Sequence, residues 1–141
     1  MKKRILFLCT HNSCRSQMAE GLVNHFFDNR FQAFSAGTSA TIVHPLAIIA
    51  LQELGVDISN HRSKTLDEFS AQSFDYVITL CDSAHEQCPL FFGGGKRVHI
   101  GFEDPSVFTG SQEVVLPEFR RVRDEILRVL TDYFKKEDPL L

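Results

Sequence analysis

Tryptophan is absent from the 141 residues, and tyrosine and methionine occur twice each, so the aromatic content rests on 13 phenylalanines, which are read as core residues. An excess of charge is also missing. With 15 Lys and Arg against 18 Asp and Glu, the net charge is −3 and the pI about 6.0. That balance gives no general attraction to nucleic acid or to an anionic membrane, and no block of like charges suggests a tail. Any anion the protein binds must therefore be held by a local site. Long apolar runs are lacking too. Met1 to Leu8 reads basic then apolar, but the run stops at Cys9 and Thr10, too short for an export signal or a membrane span. A cytoplasmic location is expected from this.

No internal repeat, low-complexity segment or linker breaks the chain, and 43% hydrophobic content suffices for one core. A single domain over residues 1–141 and a monomer are expected. Cysteine is sparse, at four residues, and in a reducing cytosol such cysteines are catalytic, redox-sensing or metal-binding more often than structural. Neither pair has the tight two-residue spacing of a zinc knuckle, so no metal site and no bound cofactor are expected.

What is present is alternation. Residues 4–8 form a short continuous apolar run, the pattern of a strand buried on both faces. Met18, Ala19, Leu22, Val23 and Phe26 then recur at helical spacing, which predicts a helix from about Cys14 to Phe27. A strand near Phe31–Ser35, a helix from about Pro45 to Leu54 closed by Gly55, and strands at 76–80 and 97–100 follow. Phe119, Val122, Ile126, Val129 and Leu130 line one face of a C-terminal helix, and Gly93–Gly95 is read as a mobile turn. The fold class implied is α/β: one doubly wound domain with about four parallel strands flanked by helices. Ligands in such sheets bind beyond the carboxyl ends of the strands. Cys9, Cys81 and Asp104 each follow a strand and fall on that rim.

The strongest motif is Cys9-Thr10-His11-Asn12-Ser13-Cys14-Arg15-Ser16, a cysteine and an arginine separated by five residues between a strand and a helix. A loop this short can wrap backbone N–H groups around one tetrahedral oxyanion, aided by the helix N-terminus, while Arg15 supplies a bidentate fork. The same field favours a thiolate at Cys9. Thr10 to Ser16 are the candidate oxyanion-binding residues. Ser16 can also donate to the sulfur or cap the helix, and Cys14 is expected to pack beneath the loop.

Together with Gln17 to Gly21, this segment resembles the signature of the low-molecular-weight tyrosine phosphatase superfamily. Ser35-Ala36-Gly37, residues 57–61, Val77 to Cys81 and residues 120–125 resemble, more narrowly, its thioredoxin-coupled arsenate reductases. That resemblance implies a low-molecular-weight phosphatase fold, arsenate as substrate with phosphate or sulfate as analogues, and thioredoxin as external reductant. It implies that Cys9 attacks arsenate, that Cys81 then displaces arsenite by forming a Cys9–Cys81 disulfide, and that Cys88 takes over as a Cys81–Cys88 disulfide. A short helix across that cysteine pair would unwind on oxidation. Asp104, before Pro105, would protonate the leaving oxygen. The alternatives are a tyrosine phosphatase sharing the loop, against which Ser106 stands where an aromatic usually grips the substrate, and a non-enzymatic thiol sensor.

In some relatives the positions of Asn12, Glu20 and Ser35 surround a monovalent cation, and an acidic neighbour there aligns with Lys64 here. The Lys64 ammonium is expected to replace the cation. His11 stands where the family usually has glycine, and Ile100 where it often has tryptophan. The other histidines are expected at the surface or as helix caps, and Phe91-Phe92 as core or as part of a docking surface for thioredoxin.

Overall fold

A computed structural model describes residues 2–82, 91 and 93–139. Four strands, β1 (Lys3–Cys9), β2 (Phe31–Gly37), β3 (Phe74–Thr79) and β4 (Gly94–His99), form one sheet in the order β2-β1-β3-β4. Every pairing is parallel. Three helices accompany them: α1 (Arg15–Phe26), α2 (Pro45–Gln52) and α3 (Gln112–Glu137). The chain leaves the central strand β1 toward β2 on one side and returns across it to β3 and β4 on the other. The direction of winding thus reverses beside β1, where open α/β sheets form their crevices.

The alternation of β1 explains why the sheet is covered on both faces. Ile5 and Phe7 point into the large cluster, where α1 contributes Met18 and Leu22, α2 Ala47 and Leu51, and α3 Phe119, Ile126 and Phe134. Leu6 and Leu8 point the other way, onto Phe69, Phe74, Val77 and Phe91. Here the connection from β2 to β3 crosses, through a short 3-10 turn at Leu66–Phe69. Phe91 lies edge-on to Phe74 with centroids 5.8 Å apart, so core packing is the reading of Phe91 that holds.

α3 is the longest element, and its buried residues Val115, Phe119, Val122, Ile126, Leu130 and Phe134 recur at three- and four-residue steps. Arg123 on the same stripe is buried, yet partnered: its Nη1 donates to Ala50 O and Glu53 Oε1, both at 2.8 Å, and its Nε to Asp124 Oδ1 at 2.8 Å. This ties α3 to the carboxyl end of α2. His44 caps the start of α2 by accepting from Leu46 N at 3.1 Å, and Gly55 takes φ +78° in the turn beyond it.

One expectation fails: Gly94 and Gly95 do not lie in a turn. They begin β4, with Gly94 paired to Phe74, because the Val77 side chain occupies the place where a Cβ on Gly94 would stand. A glycine run reads as a break from sequence alone, whereas here it lets two strands approach. The predicted helix across the redox cysteines falls largely outside the described residues, as do Cys88 and Phe92. Among the described residues no helix is long and apolar enough to cross a membrane.

Ile126 has no exposed surface and no polar duty, so Ile126→Ala should lower stability by about 2–5 kcal/mol through lost burial and the cavity left behind. Urea denaturation should show an earlier midpoint with an unchanged slope.

Candidate active site

β1 delivers Cys9 to the rim with 2% of its surface exposed, and α1 starts six residues later at Arg15. Between them the chain must reverse within five residues. Asn12 makes this possible by adopting φ +50°, the one positive φ among the described non-glycine residues. His11 does not take a positive φ, so no left-handed backbone calls for glycine there. Its imidazole is exposed, and its Nδ1 lies 3.0 Å from Ser39 Oγ.

The loop is stitched to its neighbours through backbone groups. Ser39 N donates to Thr10 O at 3.1 Å and His44 N to Ser13 O at 3.0 Å. Ser63 Oγ donates to His11 O at 3.0 Å and accepts from Thr41 N at 2.9 Å. Gly37, in register with Cys9, passes so close that a Cβ there would stand 2.7 Å from Thr10 O and 2.8 Å from Asn12 N. The glycine thus permits the loop its shape.

Ser16 does not cap α1, whose first turn carries no side-chain cap. Its Oγ lies 2.8 Å from Cys9 Sγ and accepts from Asn12 Nδ2 at 2.8 Å. Arg15 is buried at 2% exposure, donates from Nη1 to Phe102 O at 3.2 Å, and holds Nη2 3.6 Å from Asp104 Oδ2. The other oxygen of Asp104 accepts from Ser106 N at 2.9 Å and Ser106 Oγ at 2.7 Å, capping a 3-10 turn at Pro105–Val107. Turn-former and rim carboxylate are thus one residue. Cys14 packs beneath the loop at 3% exposure, and burial together with the charge of Asp104 pushes its thiol pKa up to about 12. It stays a neutral thiol where a thiolate at Cys9 would act.

The second cluster predicted from sequence also comes together. Ser35 Oγ donates to Glu20 Oε1 at 2.6 Å, and Lys64 Nζ sits 3.8 Å from the same oxygen while donating to Arg62 O at 3.1 Å. Lys64 N donates to Asn12 Oδ1 at 3.0 Å, linking this cluster to the loop. Burial lowers the lysine pKa and Glu20 opposes that shift. Two participants carry no role on sequence grounds, Gln17 and His61. Gln17 is fully buried with its Nε2 donating to Asn12 Oδ1 at 2.8 Å, and His61 Nδ1 lies 3.0 Å from Gln17 Oε1 and 3.5 Å from Glu20 Oε2. A glutamine on the first turn of a helix, one residue past an anion loop, was the only signal available.

Cys81 follows β3 by two residues, fully buried, at the same rim as Cys9: β1 and β3 are hydrogen-bonded neighbours, and Leu80 N donates to Leu8 O at 2.8 Å. Cys81 is disulfide-bonded, whereas Cys9 and Cys14 are free thiols. Among the described residues no group of three His, Cys, Asp or Glu is placed to hold a metal ion.

The sequence profile of the low molecular weight phosphotyrosine protein phosphatases matches residues 4–138. The chain belongs to that family. Within it, the chain is 47% identical over 125 residues to the arsenate reductase of Halalkalibacterium halodurans, covering 89% of this chain and 90% of that protein. An arsenate reductase solved in a phosphate-binding state superposes with a TM-score of 0.80 at 32% identity, covering 96% of this chain and 98% of the other. The thioredoxin-dependent arsenate reductase of Corynebacterium glutamicum gives 0.61 at 28% identity, covering 92% of this chain and 62% of that one. This phosphatase family member therefore shares its overall fold with proteins described as arsenate reductases.

Since a methyl group at residue 37 must displace the loop backbone, Gly37→Ala should weaken phosphate binding at least tenfold, about 1.4 kcal/mol. Calorimetric titration with inorganic phosphate reads the change directly.

Proposed function

We propose that this chain reduces arsenate to arsenite through a thiol relay recharged by thioredoxin. The observation that carries the reading is the free Cys9 thiol in the Arg15 loop beside a strand end where Cys81 is already oxidised to a disulfide. A phosphatase needs the loop but has no use for the second feature. The resemblance to arsenate reductases, including one described as thioredoxin-dependent, supports the same reading.

In the first step Cys9 thiolate displaces one oxygen of arsenate, with Arg15 and loop N–H groups carrying the oxyanion charge and Asp104 giving a proton so that the oxygen leaves as water. Next the Cys81 thiolate attacks Cys9 Sγ. A sulfur–sulfur bond forms, the sulfur–arsenic bond breaks with its electron pair moving to arsenic, and As(V) leaves as As(III) arsenite. Cys88 thiolate then attacks Cys81 Sγ, which frees Cys9 as thiolate and leaves a Cys81–Cys88 disulfide. The dithiol of thioredoxin returns the two electrons. A Cys81 disulfide beside a free Cys9 is the distribution this last exchange would leave.

Arsenate-dependent NADPH oxidation in the presence of thioredoxin and its reductase tests the reading. Turnover is expected with the native chain, none with Cys9→Ser, and a single turnover with Cys88→Ser, which should stall as a Cys9–Cys81 disulfide visible by mass spectrometry. Repeated turnover by Cys88→Ser overturns the relay. Efficient hydrolysis of para-nitrophenyl phosphate without any arsenate-dependent oxidation of thioredoxin assigns the loop to a phosphatase instead.

The Lys64 ammonium would supply the positive charge that a monovalent cation supplies in some relatives, a reading supported by its distance of 3.8 Å from Glu20 and its bond to Arg62 O. Activity should therefore be flat when potassium replaces sodium at fixed ionic strength, and a steep rise would refute the substitution.

A further inference from the structure

His44 alone satisfies the start of α2. Pro45 has no N–H to satisfy, Leu46 N donates to His44 Nδ1 at 3.1 Å, and Ala47 N and Ile48 N donate to His44 O at 3.0 and 3.2 Å. The imidazole packs beside Phe119 with ring centroids 4.6 Å apart, so α3 fixes the ring as well. Because Nδ1 accepts, the neutral ring carries its proton on Nε2.

The backbone of the same residue reaches the anion loop, where His44 N donates to Ser13 O at 3.0 Å. All described peptides are trans, and in a trans peptide the C=O and the following N–H point opposite ways. Drawing Ser13 O outward to α2 therefore turns the N–H of Cys14 inward, toward the place an oxyanion takes. Ser39 N and Ser63 Oγ draw out Thr10 O and His11 O in the same manner, but of these three anchors only His44 belongs to a side chain that titrates.

We propose that neutral His44 is a positioning residue for the anion loop: its ring caps α2, its backbone holds Ser13 O outward and so aims the Cys14 N–H, and proton uptake by the ring releases that hold. A proton on Nδ1 would set N–H against the Leu46 N–H and open the cap. It would also place a cation at the N-terminus of α2, where the helix dipole opposes it. Burial lowers the His44 pKa, and the carboxylate of Asp104, with Arg15 behind it, opposes that shift from the rim. The loop faces His44 with Ser13 and the neutral Cys14 thiol, and α3 faces it with the uncharged Phe119 ring. The hold is thus complete above the ordinary imidazole pKa and lost as pH falls through the lowered one. An N–H aimed at a bound anion makes a charge-assisted bond, which outweighs the attraction of a partly exposed imidazolium on the outer side of the loop. The inference rests on the loop being the oxyanion site, and not on the reduction of arsenate.

Calorimetric titration with sulfate, which keeps its double charge from about pH 8 to about pH 5, is the test. His44→Asn keeps an acceptor for Leu46 N and takes up no proton in this range. The readout is the change of affinity with pH, and because Cys9, His11 and Asp104 are common to both chains, their part cancels in the comparison. Between these limits the native chain should lose at least about fivefold more affinity than His44→Asn. A second measurement on the native chain covers a failure of the variant to fold. In heteronuclear NMR the ring should carry its proton on Nε2 at the upper limit, and the Leu46 amide resonance should shift with the same midpoint as the ring. Equal losses in the two chains, tighter binding by the native chain at the acid limit, a Leu46 amide that ignores the ring, or no sulfate binding at all overturns the inference. Sulfate enters no redox step, so failure of the native chain to reduce arsenate would sink the proposed function and leave this result to stand or fall alone.

Discussion

The loop that follows β1 is built around one close contact, the Ser16 hydroxyl 2.8 Å from Cys9 Sγ at the end of a buried strand. The arrangement requires a reversal of the chain within five residues, and that in turn requires Asn12 at φ +50°. One residue thus serves as the hinge of the loop and as the donor that orients the serine. Such double use explains why Asn12 is fully buried yet bonded through both ends of its amide.

The rest of the domain keeps this small polar assembly in place within apolar surroundings. Buried amides and hydroxyls cost free energy unless each finds a partner, and a half-satisfied network would be worse than an apolar core. The described network is closed by backbone carbonyls on the side of Arg62 and by Glu20, Ser35 and Lys64 below. Backbone bonds from residues 39 and 44 tie the loop to the segment after β2, so the loop is not a free flap. Rigid support of this kind lets dipoles be aimed before a substrate arrives.

Around the cup, Arg15 and Asp104 show how one residue meets a structural and a chemical demand together. Asp104 caps a turn with one carboxylate oxygen and faces Arg15 with the other. Cys14 shows what burial does to a thiol, with Asp104 adding to a pKa pushed up to about 12. Both cysteines are buried, at 2% and 3% exposure, so their place relative to the helix start and their neighbours, not solvent or residue type, separates them.

The loop between strand and helix with Cys9 and Arg15 at its ends, the alternation of strands and helices, and the rim shared by Cys9, Cys81 and Asp104 were all legible in the sequence, because each depends on residues adjacent in the chain or on a period of two or 3.6. The β4 glycines misled for the same reason: local composition signals a break, and only the Val77 side chain across the sheet makes them strand residues. Gln17 and His61 were silent, since they meet across 44 residues of chain and acquire direction only from acceptors that folding brings around them. Spacing along the chain therefore determined the loop and the elements that carry it, and tertiary packing decided which polar side chains meet behind that loop, because hydrogen-bond partners belong to a set of neighbours that only folding assembles.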